Sequence, residues 1–367
     1  IKECDWSSDV CSSDLSKESA IRAKGSLQTG DDYPLQWTIE AVVRPEGYQP
    51  IAGQGAISGP INQLHINADL SSPFPAHLDG RLNKLLGATT WEATVHCPAA
   101  VLAEIHPNWP EQRFTDVVVN GRGTLDAYGF AVRSAARMPT LKQTSALAAE
   151  LDGDFNGIRV QTLELAHGAS SLTAKGRLTW NPGLSWEAEV RGAHIDPSLL
   201  FADWPGDFSC TLNTEGSFDG NDVRASFHLP QLQGTLRRFP LSGKGEAHLL
   251  GRQVRIPMFA LTSAGSGVKI QGEIDDAVNL ALKLQSGNLA ELWPNARGKV
   301  DLNAKITGPT AKPEVALKLT GAGIGLGADR IEAVDLETKG TVTAEGSLAA
   351  TLKTENAQLG SIHLIQA

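Results

Sequence analysis

One pattern limits what this chain can become: apolar and polar residues alternate with a period of two, in run after run. "GKVDLNAKITG" puts Val300, Leu302, Ala304 and Ile306 on one side and Asp301, Asn303, Lys305 and Thr307 on the other. "PEVALKLTG" does the same with Val315, Leu317 and Leu319, and "VNLALKLQSG" with Val278, Leu280, Leu282 and Leu284. Period two is the signature of a strand with one apolar and one polar face. In "NGIRVQTLELAHG" the phase slips from Ile158 and Val160 to Leu163 and Leu165, which predicts a bulge or bend. Turn residues punctuate the runs, as in "SGPINQ", "DGND" and "TGPTAKP". No stretch of twelve or more residues makes a convincing amphipathic helix.

The tryptophans add a longer period. Trp91 to Trp186 and Trp109 to Trp204 are the same step of 95 residues, and Trp204 to Trp293 is 89. Trp109, Trp204 and Trp293 are each followed by proline. Each copy reads as strand, short helix, Trp-Pro, strand. The helix candidates are "PAAVLAEI" from Pro98, "DPSLLFADW" from Asp196 and "NLAELW" from Asn288. Asp196 and Asn288 are good N-caps, and Pro98 and Pro197 suit a first helical position. The proline after each Trp ends the helix, because it drives its predecessor out of the helical region. A glycine closes each following strand, at Gly121, Gly216 and Gly308. The Trp rings are read as structural plates that pin a short helix to a sheet.

Residues 1–15 stand apart. "DWSSDVCSSDL", from Asp5 to Leu15, back-translates into the end of a common short-read sequencing adapter. Residues 1–15 are therefore expected to be a translated artefact without structure. The expectation for residues 16–367 is one continuous segment with repeats of about 90–95 residues, at 80–175, 176–271 and 272–367. On this reading the natural N-terminus is missing and the C-terminus is open.

Composition narrows the function. The net charge is −9 and no basic block occurs, which argues against nucleic acid as a partner. No run of 18 apolar residues exists to span a membrane as a helix. Cys97 and Cys210, the two cysteines outside the artefact, occupy different positions of the repeat, so the repeat gives no support to a disulfide. The nine histidines are scattered without zinc spacing, and no cofactor is expected. "GAGIGLGADR", Gly321 to Arg330, is followed by an alternating run and not a helix, so it reads as a glycine-rich strand or turn and not a nucleotide loop. No serine, histidine and aspartate set stands out. The chain is read as a non-enzyme.

Four stretches in order, "NGRGTLDAYGFAV", "AKGRLTWNPGLSWEAEV", "IDPSLLFADWPGDFSCTLNTEG" and "LWPNARGKVDLNAKITGPTAKPEVALKL", resemble the TamB family of translocation and assembly proteins. These belong with the AsmA-like, bridge-type lipid-transfer proteins. The resemblance implies an all-β fold: an elongated, curved, repetitive sheet forming a taco-like open groove, with a few short helices before the Trp-Pro motifs. It implies a periplasmic segment that conducts phospholipid between inner and outer membranes. It also implies an N-terminal inner-membrane anchor missing from this chain, and an Omp85-type outer-membrane partner met through a C-terminal region not recognised here. Acyl chains would be the ligand. The expected groove lining is Leu280, Leu282, Leu284, Val300, Leu302, Ile306, Val315, Leu317 and Leu319, and the structural repeat is Trp91, Trp109, Trp186, Trp204 and Trp293. Two other readings remain: a scaffold that assists outer-membrane protein assembly or secretion by strand pairing at open edges, and a polysaccharide-acting β-solenoid enzyme, which would need a carboxylate cluster.

Overall fold

The computed structural model describes residues 19–27, 33–137, 144–220, 222–327, 329–341, 348–359 and 362–366. Residues 1–15, the expected artefact, lie outside them. The described chain is all-β and divides into two compact units, residues 1–177 and 178–367.

In the first unit the strands are β1 (Ala20–Leu27), β2 (Pro34–Val43), β3 (Ile51–Pro60), β4 (Gln63–Ser72), β5 (Ala76–Asn83), β6 (Thr90–Val101), β7 (Arg113–Thr124), β8 (Ala127–Arg137), β9 (Ser145–Asp154) and β10 (Gly157–His167). Each pairs antiparallel with the next in sequence. A four-residue helix, α1 (Leu102–Ile105), leads into the Trp109-Pro110 turn. The chain passes from one unit to the other within β11 (Ser170–Thr179).

The second unit holds β12 (Ser185–Ile195), β13 (Gly206–Asp219), β14 (Asp222–Leu236), β15 (Phe239–Leu250), β16 (Gln253–Ser263), β17 (Ser266–Ile274), β18 (Ala277–Ser286), β19 (Ala296–Pro309), β20 (Glu314–Leu326), β21 (Asp329–Thr341), β22 (Leu348–Leu359) and β23 (Ile362–Gln366). These too pair antiparallel in sequence order. Two single 3₁₀ turns, Pro197–Leu199 and Leu289–Glu291, stand before Trp204-Pro205 and Trp293-Pro294.

The expected turns and the phase slip are where the sequence placed them. "SGPINQ", "DGND" and "TGPTAKP" join β3–β4, β13–β14 and β19–β20, and the β9–β10 register shifts between Val160 and Thr162. "GAGIGLGADR" is the end of β20, a turn at Gly327 and the start of β21. The helices are shorter than the candidates. Pro98 opens no helix: β6 runs on to Val101, because Ala99, Ala100 and Val101 pair with Thr115, Phe114 and Arg113. Strand pairing there outweighs the preference of proline for a helix start.

Large side chains are seldom buried. Among the described residues the buried apolar set is Leu64, Ala76, Cys97, Ala136, Ala149, Ala225, Leu241, Val278, Val300 and Val334, mostly small or β-branched. Within each unit the substantial contacts between elements join sequence-adjacent strands, or a helical turn and the strand beside it. Within each unit the strands belong to one antiparallel sheet, and the large apolar side chains along it are mostly half-buried, among the described residues. No helix among them is long and apolar enough to cross a membrane.

Candidate functional site

Residues directly opposite on antiparallel strands point to the same face, so the registers assemble rows that run across the strands. One row of the first unit is Gly25, Trp37, Ile57, Ile66, Gly80, Ala93, Gly121, Phe130, Leu151, Val160. The next on the same face is Ala23, Ile39, Gly55, Ala68, Leu78, Val95, Val119, Val132, Ala149, Leu163. Both cross ten strands without a polar side chain. The slip at Gln161 is what keeps Val160 and Leu163 on one face.

The second unit repeats this. Gly192, Cys210, Leu232, Gly243, Leu261, Val268, Leu284, Leu302, Leu319 and Leu336 oppose one another in turn from β12 to β21. At ~4.8 Å per strand such a row extends about 43 Å across the sheet. Beside it run Phe259, Ile270, Leu282, Ala304, Leu317 and, farther on, Ile256, Gly272, Leu280, Ile306, Val315. Eight of the nine residues expected to line a groove therefore share three neighbouring rows, all half-buried. Val300 differs. It is 8% exposed, in a row with Ser286, Gly321 and Val334 on strands that reach the Leu289–Glu291 turn. It lies on the same face but does not present an open surface.

The opposite face is polar. Lys269, Lys283, Asn303, Lys318 and Glu337 form one of its rows. Asp301 accepts from Gln285 Nε2 at 2.8 Å and from Asn303 Nδ2 at 2.8 Å. A hollow of about 1160 Å³ in the first unit also belongs to the polar face. On that face Ala127, Gly129 and Ala131 leave the space, and its polar walls pair among themselves: Arg81 with Glu92 at 3.5 Å, and Gln161 Nε2 donating to Asp152 Oδ1 at 2.6 Å. It is a solvated dip lined mostly by polar-face residues, and its lining also includes Gly80, Ala93, Gly121, Phe130 and Leu151 of the first apolar row.

The tryptophans take two roles. Trp91 and Trp186 lie on β6 and β12 and oppose Gly123 and Gly216. The absent side chains there, and at Gly121, let the indoles lie flat over the next strand. A Cβ on Gly121 would stand 2.6 Å from Phe130 Cε1 and 2.8 Å from Trp91 Cζ3. The indole N–H groups donate to Thr124 O at 2.8 Å and Thr214 Oγ1 at 3.2 Å. In the third copy Val278 stands opposite Gly308 instead.

The Trp-Pro residues sit at strand ends and are not fully covered plates. Trp109 is 43% exposed and stacks on His106 at 5.8 Å, with Tyr48 edge-on to both. Trp293 is 58% exposed and meets half-buried Trp204 edge-to-face at 5.5 Å. The two Trp-Pro loops of the second unit thus pack on each other. Both begin at the expected caps. Asp196 Oδ1 accepts from Ser198 N and Gly206 N, each at 3.0 Å, and Asn288 Oδ1 from Ala290 N at 3.2 Å. Burial raises the Asp196 pKa, but these N–H groups and the Ser198 hydroxyl outweigh it and hold the carboxyl below its ordinary value.

Sequence reasoning missed the residue that joins these loops. Arg237 and Arg238 form the whole β14–β15 turn, with φ of 49° and 72°. Such a turn favours Asn-Gly, and a left-handed non-glycine costs about 1 kcal/mol or more. Arg237 N donates to Pro205 O at 2.6 Å and Nη1 to Ala290 O at 2.9 Å, while its guanidinium lies 4.8 Å from the Trp204 ring centroid. Its Nε and Nη2 are buried with no hydrogen-bond partner among the described residues. Burial lowers its pKa. "LRRF" between two alternating runs was the available signal. Next to it, Glu291 Oε2 accepts from Gly265 N at 3.0 Å and Ser266 Oγ at 2.7 Å, and Ser263 Oγ donates to Glu291 O at 2.8 Å. Those serines lie on the apolar face, in register with Leu241 and Ser286, so the Leu289–Glu291 turn caps one end of that face.

Cys97 and Cys210 are free, and burial raises the pKa of Cys97. Among the described residues no group of three His, Cys, Asp or Glu side chains is placed to hold a metal.

The model of the TamB N-terminal domain matches residues 13–367. The translocation and assembly module subunit TamB of Haemophilus influenzae is 21% identical over 318 residues, covering 83% of this chain. The chain spans about a quarter of that relative's length, 24%. With its sheet, its Trp-Pro copies and this match over nearly its whole length, the chain belongs to the TamB family, through that family's N-terminal domain.

Proposed function

We propose that this chain is a periplasmic segment of an envelope-biogenesis protein, and that its apolar face conducts phospholipid between the inner and outer membranes. The observation that carries this reading is the continuity of the apolar rows over ten strands in each unit, with the large side chains along them half-buried and not enclosed, among the described residues. Apolar surface left in water forfeits ~25 cal/mol per Å², and each methylene buried recovers about 0.8 kcal/mol. Acyl chains meet that need. Because the rows repeat from strand to strand, a chain shifted by one strand finds similar contacts, and its binding energy changes little as it moves. No residue need be catalytic, and no enzymatic step is proposed. In the full-length protein an N-terminal anchor would hold the segment to the inner membrane, and an Omp85-type partner would receive it at the outer membrane. The relative is named as a subunit of a module, which agrees with such a partner.

The experiment is site-specific photocross-linking in cells. A benzophenone side chain replacing Leu302 or Leu317 should capture phospholipid, and one replacing Asn303 or Lys318 should not. Equal labelling of both faces, or none on either, would reject the assignment.

A further inference from the structure

The least explained group in the second unit is the guanidinium of Arg237. Arg81 and Arg191 pair with Glu92 and Glu189 at 3.5 and 2.7 Å. Arg237 has a carbonyl on Nη1, an indole face beneath it, and two buried nitrogens without an acceptor. Glu291, beside its partner Ala290, is engaged by Gly265 and Ser266. A half-buried cation whose counter-charge is missing is unfavourable unless an anion supplies it. The backbone is held unfavourably as well, since two arginines occupy left-handed positions suited to Asn-Gly. Strain kept at a site with unused donors points to a function for the side chain.

Position gives the ligand. Arg237 follows Leu236, at the end of the strand that supplies Leu232 to the longest apolar row. It reaches Ala290 in the turn that caps the apolar face. Trp204 lies against it, and Trp293, which is largely exposed, packs edge-on to Trp204. An arginine with indoles at the boundary of an apolar surface suits a molecule that is apolar at one end and anionic at the other.

Resting on the acyl-chain reading above, we propose that Arg237, beside the Trp204–Trp293 ring pair, receives the phosphate of a phospholipid headgroup while the acyl chains lie on the Leu232–Leu261–Leu284 row. Nε and Nη2 are the two parallel donors that a phosphate oxygen pair accepts, and because both are covered in this structure, binding requires the Arg237 side chain to shift from Ala290 O and expose them. Phosphate is common to phospholipids, so the site would select for its presence and not for one headgroup.

The test is binding of three probes to the whole purified chain: dihexanoylphosphatidylglycerol below its micelle concentration, dihexanoylglycerol with the same chains and no phosphate, and inorganic phosphate. The wild type should prefer the phospholipid over the neutral lipid by about tenfold, as expected for a charge-assisted pair. Arg237→Met should abolish the preference and leave binding of dihexanoylglycerol unchanged. Arg238→Met should keep it. Arg237→Gln provides a second variant, with folding checked by circular dichroism. A preference that survives in both Arg237 variants, or is absent from the wild type, overturns the proposal. Arg237-dependent binding of inorganic phosphate as tight as that of the phospholipid overturns the lipid source and assigns a free-phosphate site. If neither lipid binds the wild type, the acyl-chain reading fails by itself, and Arg237-dependent binding of inorganic phosphate still decides whether the anion site exists.

Discussion

Gly121 sets the distance between its strand and the aromatic rings beside it. Phe130 and Trp91 occupy the space its side chain would need, so the substitution acts as overpacking and not as a change in backbone freedom. Gly121→Ala should cost about 1–3 kcal/mol, read from thermal melts. Shortening the opposing ring with Phe130→Leu should relieve part of that, making the pair non-additive. Asp196 supports a second prediction. Its removal in Asp196→Ala should cost about 1 kcal/mol at pH 7, as loss of a cap does. Its folded pKa is depressed, so its contribution is present above the unfolded pKa and is lost as pH falls through the folded one. The difference in melting temperature between wild type and variant should therefore shrink below about pH 4. Asp196 and Asn288 were legible as caps because the chemistry is local. The use of Gly121 and Gly216 was not, since the rings that need the space come from other strands. Arg237 was hidden for the same reason: its partners at Pro205, Trp204 and Ala290 are 32, 33 and 53 residues away.

Strands and turns were the most readable part of the chain. The phase slip in "NGIRVQTLELAHG" announced the shift at Gln161 because a period-two pattern shows a single inserted residue at once. The stretch at Pro98 was misread because local helix signals cannot report that Thr115, Phe114 and Arg113 are waiting across the sheet. Faces within a strand were also readable, and they give a paired prediction. Leu302 is half-buried in the apolar row, while Asn303 projects from the polar face and is exposed. Against an open face, Leu302→Asp should lower stability by no more than about 1–2 kcal/mol, since the carboxylate can reach water. It should also reduce bound lipid. Asn303→Asp should be near neutral in both. Unfolding of the Leu302→Asp chain, with Asn303→Asp unaffected, would mean that protein covers this row.

For the molecule as a whole, alternation pointed to strands with one apolar face, and the Trp-Pro spacing to a repeat of about 90–95 residues. Neither could say which residue opposes which. That depends on turn lengths and bulges, such as the two-residue turns at Arg237-Arg238 and Gly251-Arg252, which put Gly243 between Leu232 and Leu261. The unbroken rows appear only once those registers are fixed, and the proposal for lipid depends on them. The most direct measurement is mass spectrometry of lipid extracted from the chain after purification from a Gram-negative host without detergent. Phospholipids of several headgroups, retained through gel filtration and depleted in Leu302→Asp, are the expected result. A folded, soluble chain that carries no phospholipid, or the same amount with and without Leu302→Asp, would contradict the assignment of the apolar face to acyl chains.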